Sequence, residues 1–350
     1  MRALHAASFF GRTPGGFVPL IGALARRLVA RGDEIALVAP RVEGASWHDA
    51  ARAAGIELHL VEGAGEAARI AAAWRPDIAH VHFFGWEGRL TTALWTSRAR
   101  LLWHVHSTVT SRVNGTVALT PRSFSKYRLL GARVERFIAV SAAIGEELRR
   151  QGAPRSRIAV VPNAVDAERF RPPTPAERAA ARAALGLTDR PAILFFGRDP
   201  QIKGADILTH ALARFDRPTI VSVATPAAVR AELAQHAEVI ALEHVDDVVP
   251  LLWAADALAM PSRAEGFGLV LLEAALTGLP VAASDLAALR ETAGERARVH
   301  FSPPGDPEAF AIALGAALRE DPARGPAATA GADPLAGWAQ SVMRLYDAPR

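Results

Sequence analysis

The sequence predicts an α/β protein with two doubly wound parallel sheets, each in a domain of its own. Short apolar runs alternate with alanine- and leucine-rich helical patterns along nearly the whole chain. A proline-rich segment interrupts this alternation near the middle of the chain. The 350 residues, half of them apolar, are enough to build two substantial cores.

Apolar runs predict the strands of both domains. In the first half they lie at 3–7, 34–39, 57–61, 78–82, 101–106, 137–140 and 158–161, and in the second half at 192–196, 219–223, 238–242, 257–260, 281–283 and 298–301. Helical patterns lie between most of these runs, for example at 17–31 before Gly32 and at 142–151 before Gly152.

The segment 161–173 is predicted to link the domains, because its prolines oppose a continuous helix or strand. The domain boundary is therefore placed between residues 163 and 164. The second domain is predicted to span 164–333, and a separate amphipathic helix is predicted at 334–350, where Trp338, Val342, Leu345 and Tyr346 recur at helical spacing.

Composition and charge exclude several classes of protein. The chain has no cysteine, which excludes disulfides and thiolate metal sites and fits a cytoplasmic protein. It has no charge-free stretch of about 18 residues and no secretory h-region near its start. The isoelectric point of 10.2 accompanies a net charge of only +4 and arginines spread along the chain. We therefore expect no nucleic-acid partner.

One stretch combines two carboxylates with a glycine loop. Glu265 precedes Gly266 and Gly268, and Glu273 follows eight residues after Glu265, inside a predicted helix that ends before Gly278. The loop follows a predicted strand, and a strand, glycine loop and helix in this order form the ligand site of many open parallel sheets. The amides of 267–269 would lie at the helix N-terminus, where they favour a diphosphate. A diphosphate beside carboxylates suggests a nucleotide sugar.

This stretch, with its E-x7-E pattern, resembles the retaining family 4 glycosyltransferases of the GT-B fold, and segment 161–173 is similar to the family's interdomain segment. The resemblance implies two Rossmann-like domains that face a central cleft. The first, 1–163, would be the acceptor side, with the helix at 334–350 crossing back to it, and the second would bind the nucleotide sugar. It also implies that Glu265 holds the hydroxyls of the donor sugar and that Glu273 binds the ribose.

Further candidate donor contacts come from two glycine-rich turns. Gly15 and Gly16 open the first helix, where their amides could approach a phosphate or acceptor, although a tight turn explains them equally well. Arg198 and Lys203 follow the first strand of the second domain. Both could bind phosphate oxygens, and Lys203 falls at the position of the family's phosphate-binding lysine. The alternative is a pair of solvated cations.

Two pairs of histidines occupy alternate positions of neighbouring predicted strands. These are His80 with His82 and His104 with His106. A zinc site is one alternative, and polar residues satisfied inside the sheet are another. By resemblance, His106 is the histidine that contacts the donor sugar, and we count it with Glu265, Arg198 and Lys203 as catalytic.

Basic residues also crowd 112–136, which would let this segment dock on an anionic membrane at the inner face, or simply form a solvated helix. We expect a metal-independent glycosyltransferase that uses a nucleoside-diphosphate-sugar and an unidentified acceptor, with retention and without a separate cofactor. No D-x-D motif occurs, which opposes a metal-dependent arrangement. The rival hypothesis is a catalytically silent subunit that binds sugar nucleotides.

Overall fold

The structure is a computed structural model that describes residues 1–8, 15–83, 85–107, 112–113, 116–117, 126–187, 189–294, 298–321 and 333–349. Its contacts divide the chain into two compact units. Unit 1 contains Met1–Ala164 and Asp333–Arg350, and unit 2 contains Val165–Ala332. Among the described helices, none is both long enough and apolar enough to cross a membrane.

Unit 1 is built on a parallel sheet of seven strands. The strands of this unit are β1 (Arg2–Ala7), β2 (Glu34–Pro40), β3 (Glu57–Val61), β4 (Ile78–His82), β5 (Arg100–Val105), the separate antiparallel hairpin β6 (Arg112–Val113) and β7 (Thr116–Val117), β8 (Arg136–Ala139) and β9 (Ile158–Val160). The sheet order is β3-β2-β1-β4-β5-β8-β9. This doubly wound order places β1, β4 and β5 side by side in the middle, where the strands are buried on both faces and carry four buried histidines among apolar residues.

Helices cover the faces of this sheet. They are α1 (Phe17–Ala30), α2 (Trp47–Ala53), α3 (Ala64–Trp74), α4 (Glu87–Ala93), α5 (Ala142–Arg150) and, from the C-terminal segment, α14 (Pro334–Asp347). Helix α14 begins at Pro334, and the Asp333 side chain caps it by accepting from the amide of Ala336 at 3.1 Å. It packs on α1 and buries Trp338 and Tyr346 in the same core. The C-terminal helix is therefore part of unit 1.

Unit 2 has a parallel sheet of six strands. They are β10 (Ala192–Phe196), β11 (Thr219–Val223), β12 (Glu238–Leu242), β13 (Ala257–Met260), β14 (Val281–Ser284) and β15 (Val299–Ser302), in the order β12-β11-β10-β13-β14-β15. The helices are α6 (Pro175–Ala184), α7 (Pro200–Lys203), α8 (Ala205–Leu212), α9 (Ala227–Leu233), α10 (Val249–Ala254), α11 (Leu269–Thr277), α12 (Ala287–Ala293) and α13 (Pro307–Leu318). Apolar clusters of sheet and helix residues form its core.

The predicted fold class is confirmed. Every predicted strand forms, and no strand end differs from its predicted position by more than one residue. The hairpin at 112–117 was not predicted. The predicted linker contributes to the core of unit 2, because Val165 and Phe170 are buried there. Strand β5 ends at Val105, so His106 is the first residue beyond the strand and not its last.

Candidate functional site

The candidate site in unit 2 is formed by two loops at one edge of the sheet. Strands β10 and β13 are neighbours and parallel, so their carboxyl ends deliver both following loops to the same place. The loop after β10 contains the short helix α7 and ends at Gly204. The loop after β13 spans 261–268 and leads into α11. The two loops are therefore close in space although they are far apart in the sequence.

Gly204 is the point of closest approach between these loops. Its φ of +67° lies in the left-handed region, and a Cβ added there would collide with the carbonyl oxygen of Pro261. One residue pair reinforces the contact, since the amide of Arg263 donates to the carbonyl of Ile202 at 2.7 Å. The Arg263 guanidinium also forms a bidentate ion pair with Asp206, at 2.7 and 2.6 Å. Glycine is required here because backbone occupies the side-chain position.

This packing brings Lys203 and Glu265 into direct contact. The Lys203 Nζ atom lies 2.7 Å from Oε1 of Glu265, and the Ser262 hydroxyl donates to the same oxygen at 2.8 Å. The Glu265 side chain is 10% exposed and that of Lys203 is 32% exposed. Among the described residues, Oε2 of Glu265 has no hydrogen-bond partner. The carboxylate is therefore held by one oxygen and can offer the other to a ligand.

Free amides lie beside this pair, at the start of α11. Gly268 precedes the helix with a φ of +89°, and a Cβ there would collide with Leu289. The first helical bonds run from the amides of Leu271 and Leu272 to the Gly268 carbonyl. The amides of Phe267, Gly268 and Leu269 make no hydrogen bond to any other described residue. They are donors available to an anion at the positive end of the helix dipole.

Glu273 lies one turn further along α11 and is nearly inaccessible, with 6% of its surface exposed. Within the described parts of the chain its carboxyl group makes no hydrogen bond. Burial raises the pKa of Glu273 to about 7, and the positive charge of Arg169 opposes this only in part. A buried carboxyl without donors is costly in the ionised form, so the site favours a ligand that supplies hydroxyl donors.

Arg198 follows β10 at the same edge of the sheet. Its side chain is exposed and makes no hydrogen bond or ion pair to the described residues. Gly197, immediately before it, has no room for a side chain, because a Cβ there would meet Thr225. The structure thus brings Lys203 and Glu265 together, places the helix amides and Glu273 on the adjoining loop and helix, and leaves Arg198 free to reach an anion.

The remaining predicted catalytic residue, His106, belongs to unit 1. Its ring stacks on Phe83 at a centroid distance of 4.4 Å, and the Phe83 backbone has the uncommon φ of +61°. The His106 Nε2 atom lies 3.1 Å from Nδ1 of His82. Burial lowers the pKa of His106 to about 3, so its ring is neutral near pH 7.

Four other histidines form a cluster with His106 at the middle strands of the unit 1 sheet. His5, His80, His82 and His104 are all buried, and burial lowers the pKa of each. Two groups of three, His5 with His80 and His82, and His82 with His104 and His106, bring their ligand atoms within 4.8 Å. Ring nitrogens already face one another at 2.9–3.2 Å, so hydrogen bonds between neutral rings account for the cluster without a metal.

Sequence reasoning missed His5 and Tyr346 as members of this cluster. The register of β1 against β4 pairs His5 with His80, and Tyr346 reaches the cluster from α14. In the sequence, the signal for His5 is a single histidine in the apolar run that forms β1. It indicates the cluster only once β1 is known to pair with β4.

Gly15 and Gly16 lie directly before α1. Gly15 has a φ of +59°, whereas Gly16 has an ordinary helical φ of −67°. Residues 9–14 of the same loop lie outside the described residues. The described part of this loop is a tight turn in which Gly15 supplies the left-handed residue, and phosphate or acceptor binding by either glycine stays a prediction.

The basic segment 112–136 is described only in part, with no side chain before Lys126. Lys126 forms an ion pair with Glu87, and Arg133 donates to the carbonyls of Leu94, Trp95, Ser97 and Ala99. Arg136 donates to the carbonyl of Ser156 at 2.8 Å. The prediction of membrane contact therefore rests, among the described side chains, on the exposed Arg128 and on Leu129, which is 68% exposed.

Comparisons with known proteins give matches over both units. Residues 14–169 match the family profile described as Glycosyltransferase Family 4, and residues 190–320 match the profile described as Glycosyl transferases group 1. The chain is 32% identical over 306 residues to a D-inositol 3-phosphate glycosyltransferase of Xylanimonas cellulosilytica, across 77% of this chain and 71% of that protein. A protein of the same name from Geodermatophilus obscurus is 31% identical over 305 residues, 78% of this chain and 66% of the relative.

Solved structures resemble the whole chain. The Anabaena protein HepE in complex with UDP-glucose has a TM-score of 0.71 and 18% identity, covering 98% of this chain and 94% of that chain. Sucrose-phosphate synthase from Thermosynechococcus elongatus has a TM-score of 0.74 and 18% identity, covering 99% of this chain and 98% of that chain. At these identities the similarity establishes the fold alone.

The raised pKa of Glu273 predicts a pH-dependent loss of stability in the ligand-free protein. The folded pKa of about 7 exceeds the unfolded value of 4.5, so the folded state binds the proton more tightly. Stability should fall as pH rises from about 4.5 to 7 and stay level above that, by an amount on the order of 3 kcal/mol. Glu273→Gln should therefore unfold at higher urea concentration than the wild type at pH 8, with the advantage shrinking towards pH 5.

The matched control is Glu43→Gln, which removes the same charge from an exposed position. Its unfolding midpoint should stay close to that of the wild type at both pH values. A constant difference between Glu273→Gln and the wild type from pH 5 to pH 8 would contradict the raised pKa.

Proposed function

Because this chain belongs to family 4 of the glycosyltransferases and has the GT-B fold, we propose that it transfers a sugar from a nucleoside diphosphate to an acceptor hydroxyl, with retention and without a metal ion. The observation that carries the proposal is the Glu265 carboxylate, held by Lys203 and Ser262 beside the free amides that open α11. The HepE structures that resemble the chain contain UDP, glucose and UDP-glucose, which supports a donor of this class.

The diphosphate of the donor would bind at the start of α11. Three amides at the helix N-terminus, at 267–269, make no hydrogen bond to the described residues, and Arg198 and Lys203 supply positive charge from the neighbouring loop. Negative charge grows on this diphosphate as the bond to the sugar breaks. Donors that are already oriented stabilise that charge without reorganisation. The leaving group is thus met by protein groups, which is the basis for proposing a metal-independent reaction.

Glu265 would act on the donor sugar. Its Oε1 is fixed by Lys203 and Ser262, so Oε2 has a defined direction from which to accept sugar hydroxyls. Positive charge develops at the anomeric carbon as the leaving group departs, and a preorganised carboxylate nearby stabilises it. Lys203 lies between the proposed phosphate and sugar contacts, which allows one cation to hold the carboxylate and attract the diphosphate.

Glu273 would accept from the ribose hydroxyls. The pocket around it lacks donors among the described residues, and burial favours the protonated carboxyl when no ligand is present. Two hydroxyl donors would reverse that preference, so ribose binding is expected to favour the ionised form. This role explains why a carboxyl group is retained at a buried helix position that would otherwise suit an apolar residue.

The acceptor is proposed from the relatives. The two relatives reported above are named D-inositol 3-phosphate glycosyltransferases, which makes that compound the first acceptor to assay. Lipid and glycan acceptors are the alternatives. The predicted contact of His106 with the donor sugar is retained in the proposal. The silent-subunit hypothesis is disfavoured because Glu265, Lys203 and His106 are all present and the first two are assembled into one ion pair.

Donor binding is tested by thermal unfolding with UDP, GDP, ADP and TDP and their sugars. A nucleotide at about 100 times its dissociation constant should stabilise unit 2 by about 2.7 kcal/mol, or roughly 5 to 10 °C. Lys203→Met should abolish this shift. Lys126→Met is the matched control, since Lys126 is the chain's other lysine and also pairs with a glutamate, and it should keep the full shift. Absence of a shift with every nucleotide would refute the proposed donor class.

The two glutamates should differ kinetically. Glu265→Gln should lower kcat by about 10² to 10³, because it removes a preorganised charge needed mainly in the transition state. Glu273→Gln should mainly raise the KM for the donor, by about 1.5 to 3 kcal/mol, because a ribose contact is made before and during the transition state alike. Equal losses of kcat with unchanged donor KM in both variants would remove the basis for separate roles.

Stereochemistry and metal dependence are tested in one reaction. In buffer with EDTA, the first-formed product from an α-linked donor should be α-linked by proton NMR, and turnover should match that without chelator. The physical reason is that amides, Arg198 and Lys203 meet the leaving group, and departure and attack occur on one face of the sugar. A β-linked product would rule out retention. Turnover lost in EDTA and restored by Mg²⁺ or Mn²⁺ would rule out the metal-free reaction.

A further inference from the structure

A continuous chain of hydrogen bonds connects five histidines and one tyrosine through the core of unit 1. It starts at His106, which is half-buried, and ends at His104, which is fully buried. The links run His106 Nε2 to His82 Nδ1 at 3.1 Å, His82 Nε2 to His5 Nδ1 at 2.9 Å, His5 Nε2 to Tyr346 Oη at 3.1 Å, Tyr346 Oη to His80 Nδ1 at 2.6 Å, and His80 Nε2 to His104 Nδ1 at 3.2 Å.

This connectivity leaves one free nitrogen at each end. His82, His5 and His80 each use both ring nitrogens in these hydrogen bonds. Among the ring nitrogens of the six linked groups, Nδ1 of His106 and Nε2 of His104 are left over. The Nε2 atom of His104 is buried and has no hydrogen-bond partner among the described residues. The Nδ1 atom of His106 likewise makes no hydrogen bond to the described residues, at the end of the chain that is less deeply buried.

The tautomers of the six groups are coupled. Burial keeps the rings neutral, and a neutral imidazole carries one N–H and one acceptor nitrogen. Each link holds one proton, so every group must donate in the same direction along the chain. Two arrangements remain. In one, His106 keeps its proton on Nδ1 and His104 ends as an acceptor; in the other, His106 keeps its proton on Nε2 and His104 ends as a donor.

The buried end distinguishes these arrangements. The indole of Trp338 lies near His104, with the rings 6.3 Å apart and within 14° of parallel. Its Nε1–H is a second buried group without a partner among the described residues, and it can only donate. If His104 Nε2 is an acceptor, the buried end holds one unpaired donor, the indole N–H, near an acceptor nitrogen. If His104 Nε2 is also a donor, the buried end holds two unpaired donors and no acceptor among the described residues, which is the costlier arrangement.

We propose that this chain of hydrogen bonds fixes His106 as the Nδ1–H tautomer, so that His106 presents a hydrogen-bond donor of fixed direction to its ligand. Tyr346, His5, His80, His82 and His104 are then positioning residues, because they act on the ligand only through His106. The identity of the ligand as the donor sugar rests on the proposed function, but the tautomer does not. The sugar group that meets His106 must be an acceptor oxygen.

The tautomer is measured directly by ¹⁵N NMR of the ring nitrogens in the ligand-free protein, with the His106 signals assigned through His106→Gln. Protonated and unprotonated ring nitrogens have well-separated shifts. The expected spectrum shows His106 with a protonated Nδ1 and an unprotonated Nε2. A protonated Nε2, or an even mixture, would overturn the proposal. A shift of these signals on addition of one equivalent of Zn²⁺ would also overturn the proposal, since a metal site requires the nitrogen lone pairs that accept these hydrogen bonds.

Tyr346→Phe tests the coupling, because it removes the central hydroxyl and keeps the ring. The His106 signals should then show both tautomers, since the segment from His5 to His106 is cut off from the His104 end. The matched control is Tyr127→Phe, because Tyr127 is the chain's other tyrosine and its hydroxyl is buried without a partner among the described residues. It should leave the tautomer unchanged. A single, unchanged tautomer in Tyr346→Phe would overturn the proposal.

If Tyr346→Phe does not fold, Trp338→Phe takes its place, because it removes the donor that selects the direction. It too should give both tautomers, and an unchanged single tautomer would contradict the proposal.

A binding measurement separates this proposal from the proposed function. If half to nine-tenths of His106 adopts the wrong tautomer in Tyr346→Phe, affinity for UDP-glucose should fall about twofold to tenfold by calorimetry, with affinity for UDP unchanged. Equal losses for UDP and UDP-glucose would indicate general structural damage and contradict a positioning role. If neither ligand binds the wild type while the NMR results hold, the proposed donor fails and the tautomer assignment stands.

Discussion

The candidate site in unit 2 depends on the contact between Gly204 and the carbonyl of Pro261. This contact holds the two loops at backbone distance, and it determines where Lys203 and Glu265 can lie. A side chain at position 204 would push the loops apart and separate the cation from the carboxylate. The ion pair between Lys203 and Glu265, and with it the orientation of the carboxylate, follows from two backbones meeting at one glycine.

The sequence predicts the fold well for a physical reason. Parallel strands buried on both faces are mostly apolar, so each appears as a short apolar run, and the helices between them end shortly before glycines such as Gly32 and Gly278. Some observed strand ends differ by one residue from the predicted ends, because the last residue to pair depends on the neighbouring strand. The antiparallel pair of β6 and β7 was not predicted, since two-residue strands contain too little pattern to detect.

The candidate site was predictable only where its residues are close in sequence. The E-x7-E spacing and the loop glycines identify the stretch from Glu265 to Glu273. The ion pair with Lys203 is 62 residues away in sequence and depends on β10 and β13 being neighbours. His5 presents the same difficulty, because its relation to His80 is fixed by strand order and register. Local patterns carry no information about either.

Several of the described arginines have structural roles inside the protein. Arg133, Arg157 and Arg298 each donate to backbone carbonyls at the ends of helices or strands, and Arg178 does the same beside Asp256. A guanidinium can satisfy several carbonyls at once because its donors form a fixed planar fork. Several of the arginines that give the chain its high isoelectric point are therefore bound to backbone carbonyls. The two lysines, in contrast, each meet one carboxylate as a compact charge.

The place of α14 in unit 1 has a consequence for the order of folding during synthesis. Tyr346 is separated by 266 residues from His80 and by 341 from His5, and all of unit 2 emerges from the ribosome between them. Until α14 arrives, the central strands of unit 1 carry buried imidazoles without their hydroxyl partner and an uncovered apolar surface on α1. Contacts of such long range cannot form until the C-terminal segment is made, so nascent unit 1 should persist as an incomplete domain during synthesis, while unit 2 can fold from contiguous chain.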